Sequence, residues 1–272
     1  MIDGHAHACG RLLTARGIDT YLKENKISKI VLCGGEPGSK RNYPYPLLSN
    51  VWAEEWVVSV INGLIRGVIR LGGYASQIDE ENRHVRDLSR ELPGRVLPAY
   101  WANPLEADCL KKMSAFYRQN SFSMIKLHQC WTAFNVTSAT CRRLFAWAGA
   151  RQVPVFIHLS NQEQARRLAI MANRYYRTNI IVAHLLWAAE IYPVLKHNNI
   201  WFDLSSPQLY SLATLQAVLA ACGAERLILG SDTPYGSNNI PLILNRLEKL
   251  SISEDQKEQI AEKNLLYLLE RV

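Results

Sequence analysis

Histidine is sparse in this sequence, seven residues in 272, and five of the seven sit in a recurring setting. His5 and His7 are separated by one residue in IDGHAH, and His128, His158 and His184 each close a short apolar run, MIKLH, VFIH and IIVAH. Imidazole titrates near neutral pH and is the commonest protein metal ligand, so five such rings gathered in one place would hold a metal ion or move protons. Any one of them alone is better read as a core histidine resting on a backbone carbonyl; it is the set that argues for a site. On a strand, the spacing of His5 and His7 sends both rings to one face, where they can share a cation. Asp232, in LILGSDTPYG, adds a carboxylate at the end of the last apolar run. Taken alone it reads equally as a turn or capping residue ahead of Pro234. With the histidines it completes the ligand mixture of a catalytic zinc or similar divalent ion, with a position left open for water.

Side chains this far apart in sequence meet only if the fold brings the ends of the apolar runs together. Eight such runs are expected as strands, over residues 1–6, 28–33, 95–101, 123–128, 154–158, 179–184, 200–204 and 226–231. They are short and continuously apolar, as strands buried on both faces of a parallel sheet are. Helical patterns lie between them. Ser160 with Glu163 is expected as the capping box of a helix reaching about residue 177, and Ser253 with Gln256 as that of the last helix. Eight strand and helix units in this length predict an α/β fold, a (β/α)8 TIM barrel in one domain over residues 1–272. An open doubly wound sheet is the rival, weakened by the absence of a G-x-G-x-x-G after the first strand. In a barrel the C-terminal strand ends converge on the active site, which is where the histidines fall. Lys126 and His128 both face inward by parity on the fourth strand.

One segment breaks the rhythm, residues 34–94 between the second and third strands. It holds the loop GGEPGSKRNYPYP, an apolar helix near 50–66 and a charged helix near 77–92. Over the mouth of a barrel the loop would be a lid or a substrate-binding segment, presenting Lys40, Arg41, Tyr43 and Tyr45. With Trp131, Phe134, Trp187, Tyr210 and Tyr235 from other loops, the mouth would suit a planar, anionic small molecule, although most such rings simply pack loops against the rim.

Composition narrows the classes further. The 48% hydrophobic content is enough for a large core, and no run reaches the roughly 20 apolar residues of a membrane span. The opening MIDGHAHACGR lacks a secretory signal pattern, so a cytoplasmic protein is expected. Six cysteines without a C-x-x-C pair read as free thiols. The formal charge of +7 favours anionic partners, yet the densest basic stretch, Arg83, Arg86, Arg90 and Arg95, is interleaved with acids as on a solvated helix face. Nucleic acid is therefore not expected as a partner.

Together, IDGHAH, IKLH, VFIH, IIVAH, FDLS and GSDTPYG, in this order at strand ends, resemble the amidohydrolase superfamily and most of all its amidohydrolase-2 branch. That branch contains metal-dependent hydrolases, lactonases and non-oxidative decarboxylases such as the amino-carboxymuconate-semialdehyde and resorcylate enzymes; TatD-type nucleases are more distant. The resemblance implies that His5, His7 and His158 bind one divalent ion, expected as zinc. Asp232 would be a further ligand or the base touching the water. His184 would activate water or polarise the substrate, or hold a second ion. Lys126, if carboxylated, could bridge two metals, and the one-metal reading leaves Lys126 and His128 to substrate binding or to the surroundings of the ion. Arg41 and Trp131 are expected to contact substrate. The expected reaction is hydrolysis of an amide, ester or lactone. The alternatives are decarboxylation of an aromatic or unsaturated acid, a TatD-like nuclease, or a barrel that has lost catalysis. A homodimer is the default assembly.

Overall fold

In the computed structural model, which describes residues 1–44 and 55–270, the eight apolar runs form eight parallel strands. They are β1 (Ile2–His7), β2 (Lys29–Cys33), β3 (Val96–Trp101), β4 (Met124–His128), β5 (Val155–His158), β6 (Ile180–Val182), β7 (Ile200–Asp203) and β8 (Leu227–Ile228). Each pairs with the next in sequence. Backbone bonds close the ring between last and first: Gly4 N–H to Leu229 O at 2.9 Å, Asp232 N–H to His5 O at 2.7 Å and His7 N–H to Thr233 O at 2.8 Å. This is the expected (β/α)8 barrel.

Alternation along the strands makes two apolar layers. Ile2, Val31, Ala99, Met124, Phe156, Ile181, Trp201 and Ile228, one from each strand, fill the barrel interior. Their neighbours, such as Ile30, Leu32, Ile125, Ile157, Val182 and Phe202, face the surrounding helices. A polar residue at an interior position therefore has no water to bind and must find partners inside. The register matters for the site. His128 is aligned with His158 across β4 and β5, and His7 with Cys33 across β1 and β2.

The helices are α1 (Ala15–Glu24), α2 (Glu55–Leu71), α3 (Ile78–Glu91), α4 (Cys109–Asn120), α5 (Ala139–Arg151), α6 (Gln162–Arg174), α7 (Ala188–Ile191), α8 (Leu212–Cys222), α9 (Asn239–Glu248), α10 (Glu254–Glu258) and α11 (Asn264–Leu269). The inserted α3 comes where the sequence places a charged helix; α2 runs five residues beyond the expected end of the apolar helix, whose expected residues 50–54 lie outside the described residues. The Ser253 and Gln256 capping box is present. The one expected at Ser160 is not: Asn161 caps α6 and accepts from Gln164 N–H, while Ser160 is buried and bonded to Gln129. Two strands are shorter than expected by more than a single residue. β6 stops at Val182 because His184 takes a left-handed backbone, φ 62°. β8 stops at Ile228, and Leu229 gives its N–H to Ile260 O, 3.0 Å away. All six cysteines are free and buried. Among the described residues no helix is long and apolar enough to cross a membrane.

Candidate metal centre

The C-terminal end of β1 turns His5 and His7 into the barrel mouth, both only 3% exposed. His7 donates Nδ1–H to the carbonyl of Gly34, 2.7 Å away, which leaves Nε2 facing the cavity. There Asp232 places Oδ1 3.2 Å from His7 Nε2 and 3.6 Å from His5 Nε2. The second Asp232 oxygen accepts a bond of 2.5 Å from the Ser206 hydroxyl. Burial would raise the Asp232 carboxyl, but the imidazoles of His184 and His7 and the bond from Ser206 outweigh it, holding the group well below the usual carboxylate range. Burial likewise would lower His7, and the neighbouring Cys33 thiol and Asp232 raise it to about 9 instead. His5 points Nε2 at the fully buried ammonium of Lys126, 2.6 Å away, and that ammonium lies 4.2 Å over the Phe156 ring.

A second group adjoins the first. Asn62 of α2 donates Nδ2–H to the carbonyls of Leu159 and Ser160, so its Oδ1 accepts from His158 Nε2, 3.3 Å away. His158 Nδ1 lies 3.1 Å from His184 Nε2, and His184 Nδ1 lies 2.9 Å from the Ser205 hydroxyl and 3.3 Å from the Ser205 carbonyl, while that hydroxyl donates to Asp203. Asp203, wholly buried at the end of β7, touches the same hydroxyl and lies 3.5 Å from His5 Nδ1. Desolvation pushes the Asp203 carboxyl up to about 7. His184 is pulled down to about 4, chiefly by burial, and is neutral at physiological pH. Of the four expected ligands, then, His5, His7 and Asp232 converge directly, while His158 is held by His184 and Asn62. His128 stacks on His158 at 4.1 Å and accepts at Nδ1 from Cys130 N–H, which puts the proton of the neutral ring on Nε2.

Around this centre Tyr235 sets its ring edge-on to His7, and Tyr43 stacks on Tyr235. Trp131 is half-buried against Trp101. Phe134, Trp187 and Tyr210 are buried, and Tyr210 donates to Leu204 O. The loop after β2 is strapped down: Gly10 donates to Ser39 O at 2.7 Å, Tyr43 to Pro234 O at 3.0 Å, and Gly236 to Tyr43 O at 2.7 Å. Arg41, on the outside of that strap, is exposed. Tyr45 lies outside the described residues.

The sequence reading passed over Asp3, Asn62, Asp203, Ser205 and Ser206. Asp3 accepts from the Ser231 and His5 amides and from the Tyr21 hydroxyl, and so braces β1. Asp3 and Asp203 each occur in an apolar strand run, the signal that singled out the histidines. His184, Ser206 and Asp232 all adopt left-handed backbone, φ 62°, 50° and 64°. Such a conformation costs a non-glycine residue on the order of 1–3 kcal/mol, and its gathering at one place marks a functional centre.

A model of the amidohydrolase family (Amidohydro_2) matches residues 73–265. The chain belongs to this family. No curated protein matches it in sequence. In fold, this amidohydrolase is similar to a protein of Acinetobacter baumannii described as a 2-pyrone-4,6-dicarboxylic acid hydrolase, with 12% identity and a TM-score of 0.67, covering 99% of this chain and 98% of that one. It is similar also to 5-carboxyvanillate decarboxylase of Sphingomonas paucimobilis, with 11% identity, TM-score 0.68 and coverage of 99% and 98%. A third is 4-oxalomesaconate hydratase of Rhodopseudomonas palustris, with 13% identity, TM-score 0.64 and coverage of 100% and 96%.

Membership of the family implies a divalent metal, and the donors of this amidohydrolase fit one. Two imidazole nitrogens and a carboxylate oxygen facing one another repel unless something positive lies among them. Without an ion, the proton held by His7 and the ammonium of Lys126 supply that charge. Further candidate groups have ligand atoms within 4.8 Å of one another: His5, His7 and Cys33; His128, Cys130 and His158; His5, His184 and Asp203.

Proposed function

We propose that this amidohydrolase hydrolyses an amide, ester or lactone bond in a small anionic molecule, with one divalent ion held by His5, His7, His158 and Asp232. The position of Asp232 Oδ1, 3.2 Å from His7 Nε2 and 3.6 Å from His5 Nε2, carries this reading. Zinc suits a ligand set of imidazoles and one carboxylate. When bound, such an ion lowers the pKa of water from about 15.7 toward 7 and polarises a carbonyl.

The chain's own groups do the rest. Asp232, ionised and fixed by Ser206, accepts the proton released as water attacks. His184, neutral at physiological pH and in contact with His158, polarises the substrate or assists the attacking water. His128 offers an N–H to substrate, and Trp131 a flat wall. Lys126 balances negative charge at the floor of the pocket, and Arg41 draws anions toward the mouth from outside. An anionic substrate is in keeping with the citric acid bound in the Acinetobacter structure.

Decarboxylation of an aromatic acid is the second reading, favoured by the parallel stack of His158, His128 and Trp101, with interplanar angles of 9° and 29°. One experiment separates the two. The purified protein is assayed for metal by elemental analysis and then incubated with panels of lactones, amides and aromatic carboxylates while acid release and carbon dioxide are followed. Acid release without carbon dioxide supports hydrolysis, and carbon dioxide from the aromatic acids replaces it with the second reading. Divalent-dependent release of nucleotides from single-stranded DNA would overturn both.

A further inference from the structure

Among the described side chains of the inserted helix α2, those of Val58, Asn62 and Ile69 are buried, and their spacing of four and seven residues puts them on one face. An asparagine in the middle of an apolar inner stripe costs stability unless its amide is paired, whereas a leucine there would pack without that condition. The opposite face makes no compensating contact, because Val60, Leu64 and Leu71 are 53%, 68% and 91% exposed. The amide at the centre of the stripe therefore has a task other than packing.

What Asn62 grips is the end of β5. Its Nδ2 donates to the carbonyls of Leu159 and Ser160, 3.4 and 3.5 Å away, and its Oδ1 accepts from His158 Nε2 at 3.3 Å. Turning the amide over would set its oxygen against two carbonyl oxygens, so the acceptor is the atom that meets the ring. In a neutral imidazole a proton on Nε2 leaves the lone pair on Nδ1, and Nδ1 is the nitrogen that faces His184, 3.1 Å away inside the cluster. A histidine that binds a metal through one nitrogen commonly gives the N–H of the other to an oxygen acceptor, which orients the ring and raises its basicity. Here that acceptor comes from a helix inserted between β2 and β3, outside the barrel's own repeat. Tyr74, just past α2, meets Trp131 of the loop after β4 with ring centres 6.0 Å apart, so the inserted segment reaches the ends of both β4 and β5.

We infer that Asn62 is a positioning residue that makes the inserted helix part of the metal centre: it holds His158 with Nδ1 turned to the ion, so that seating of α2 and loading of the ion favour each other. The coupling is reciprocal by necessity, since whatever strengthens one strengthens the other by the same factor. This rests on the reading of His158 as a ligand and names the element that tunes it.

The test begins without metal. Nitrogen NMR of the imidazoles in stripped, full-length protein should show His158 protonated at Nε2. Asn62→Leu, which fills the stripe with an apolar side chain, should release the ring to the other tautomer or to a mixture; Asn62→Asp, which keeps an acceptor, should hold it. A merely packing role would leave the tautomer where it is. Zinc affinity, read by competition with a chelator, should fall about tenfold or more in Asn62→Leu. Zinc should also slow amide hydrogen exchange along α2 in wild type and not in Asn62→Leu. An unchanged His158 tautomer in Asn62→Leu, or a zinc affinity equal to that of wild type, overturns the proposal. His158→Ala keeps the two readings apart. Loss of the ion there, with wild-type affinity in Asn62→Leu, overturns the role of Asn62 alone; wild-type affinity in His158→Ala overturns the ligand set proposed above and the role of Asn62 with it.

Discussion

A carboxylate that faces two imidazole nitrogens is a trap for positive charge, and in this chain the trap is built from His5, His7 and Asp232. Replacing any of the three with Ala should empty the centre, read as loss of about one equivalent of divalent ion by elemental analysis; full occupancy in His7→Ala would refute the assignment. His184 belongs to the neighbouring group, so His184→Ala should keep the ion yet lose activity on the order of a hundredfold or more. Asp203 gives a pH signature. Its carboxyl is pushed up to about 7, chiefly by burial, so the folded protein keeps a proton that an unfolded aspartate releases near pH 4. The native state thus binds more protons, and raising the pH across that window works against the fold. In metal-stripped protein, thermal unfolding of Asp203→Asn relative to wild type should gain stability as pH rises from about 4 to 7; a flat difference would refute the shift. The histidines of this centre were legible because imidazole is rare in apolar strand runs. Asp203 was not, since FDLS gives no sign that its neighbours would be Ser205 and two imidazoles and not a helix N-terminus.

Strand runs were legible for a simple reason: parallel strands buried on both faces leave no room for polar interruption. Their ends were harder, because side chains that are remote in sequence decide them. β6 stops where His184 adopts left-handed backbone with its N–H toward Asp203, and the cap of α6 moves to Asn161 because Gln129 holds Ser160. The inserted helices were visible as an apolar and a charged pattern, but the reach of Asn62 toward the centre depends on how α2 lies over the barrel. The loop after β2, expected as a lid, is tied by backbone bonds to the loops after β1 and β8. Its Arg41 is exposed, which suits attraction at a distance more than contact. Arg41→Ala should then lower kcat/KM for an anionic substrate several-fold at low ionic strength, and the effect should vanish in about 1 M salt. A loss independent of salt would place Arg41 in direct contact with substrate.

As a whole, the molecule closes a ring of strands, and the candidate centre sits on the joint. β8 has only two residues in the ladder, and the remaining closure is made by His5, His7 and Gly4 with Leu229 and the residues up to Thr233. His5 and Ser231, joined there, are 226 residues apart in sequence. Contacts of such separation are costly to make early in folding, because nearly the whole chain must be looped before they form. With the ligand set proposed above, an ion would have no complete set of ligands until the last strand arrives. In a refolding experiment, uptake of divalent ion should follow the slowest recovery of native signal, and adding metal at the start should leave the faster phases unchanged. Capture in an early phase would mean that His5 and His7 bind it without Asp232. With the proposed ligand set, loading of the metal would report that the barrel has closed, and a half-built chain would be expected to be inactive.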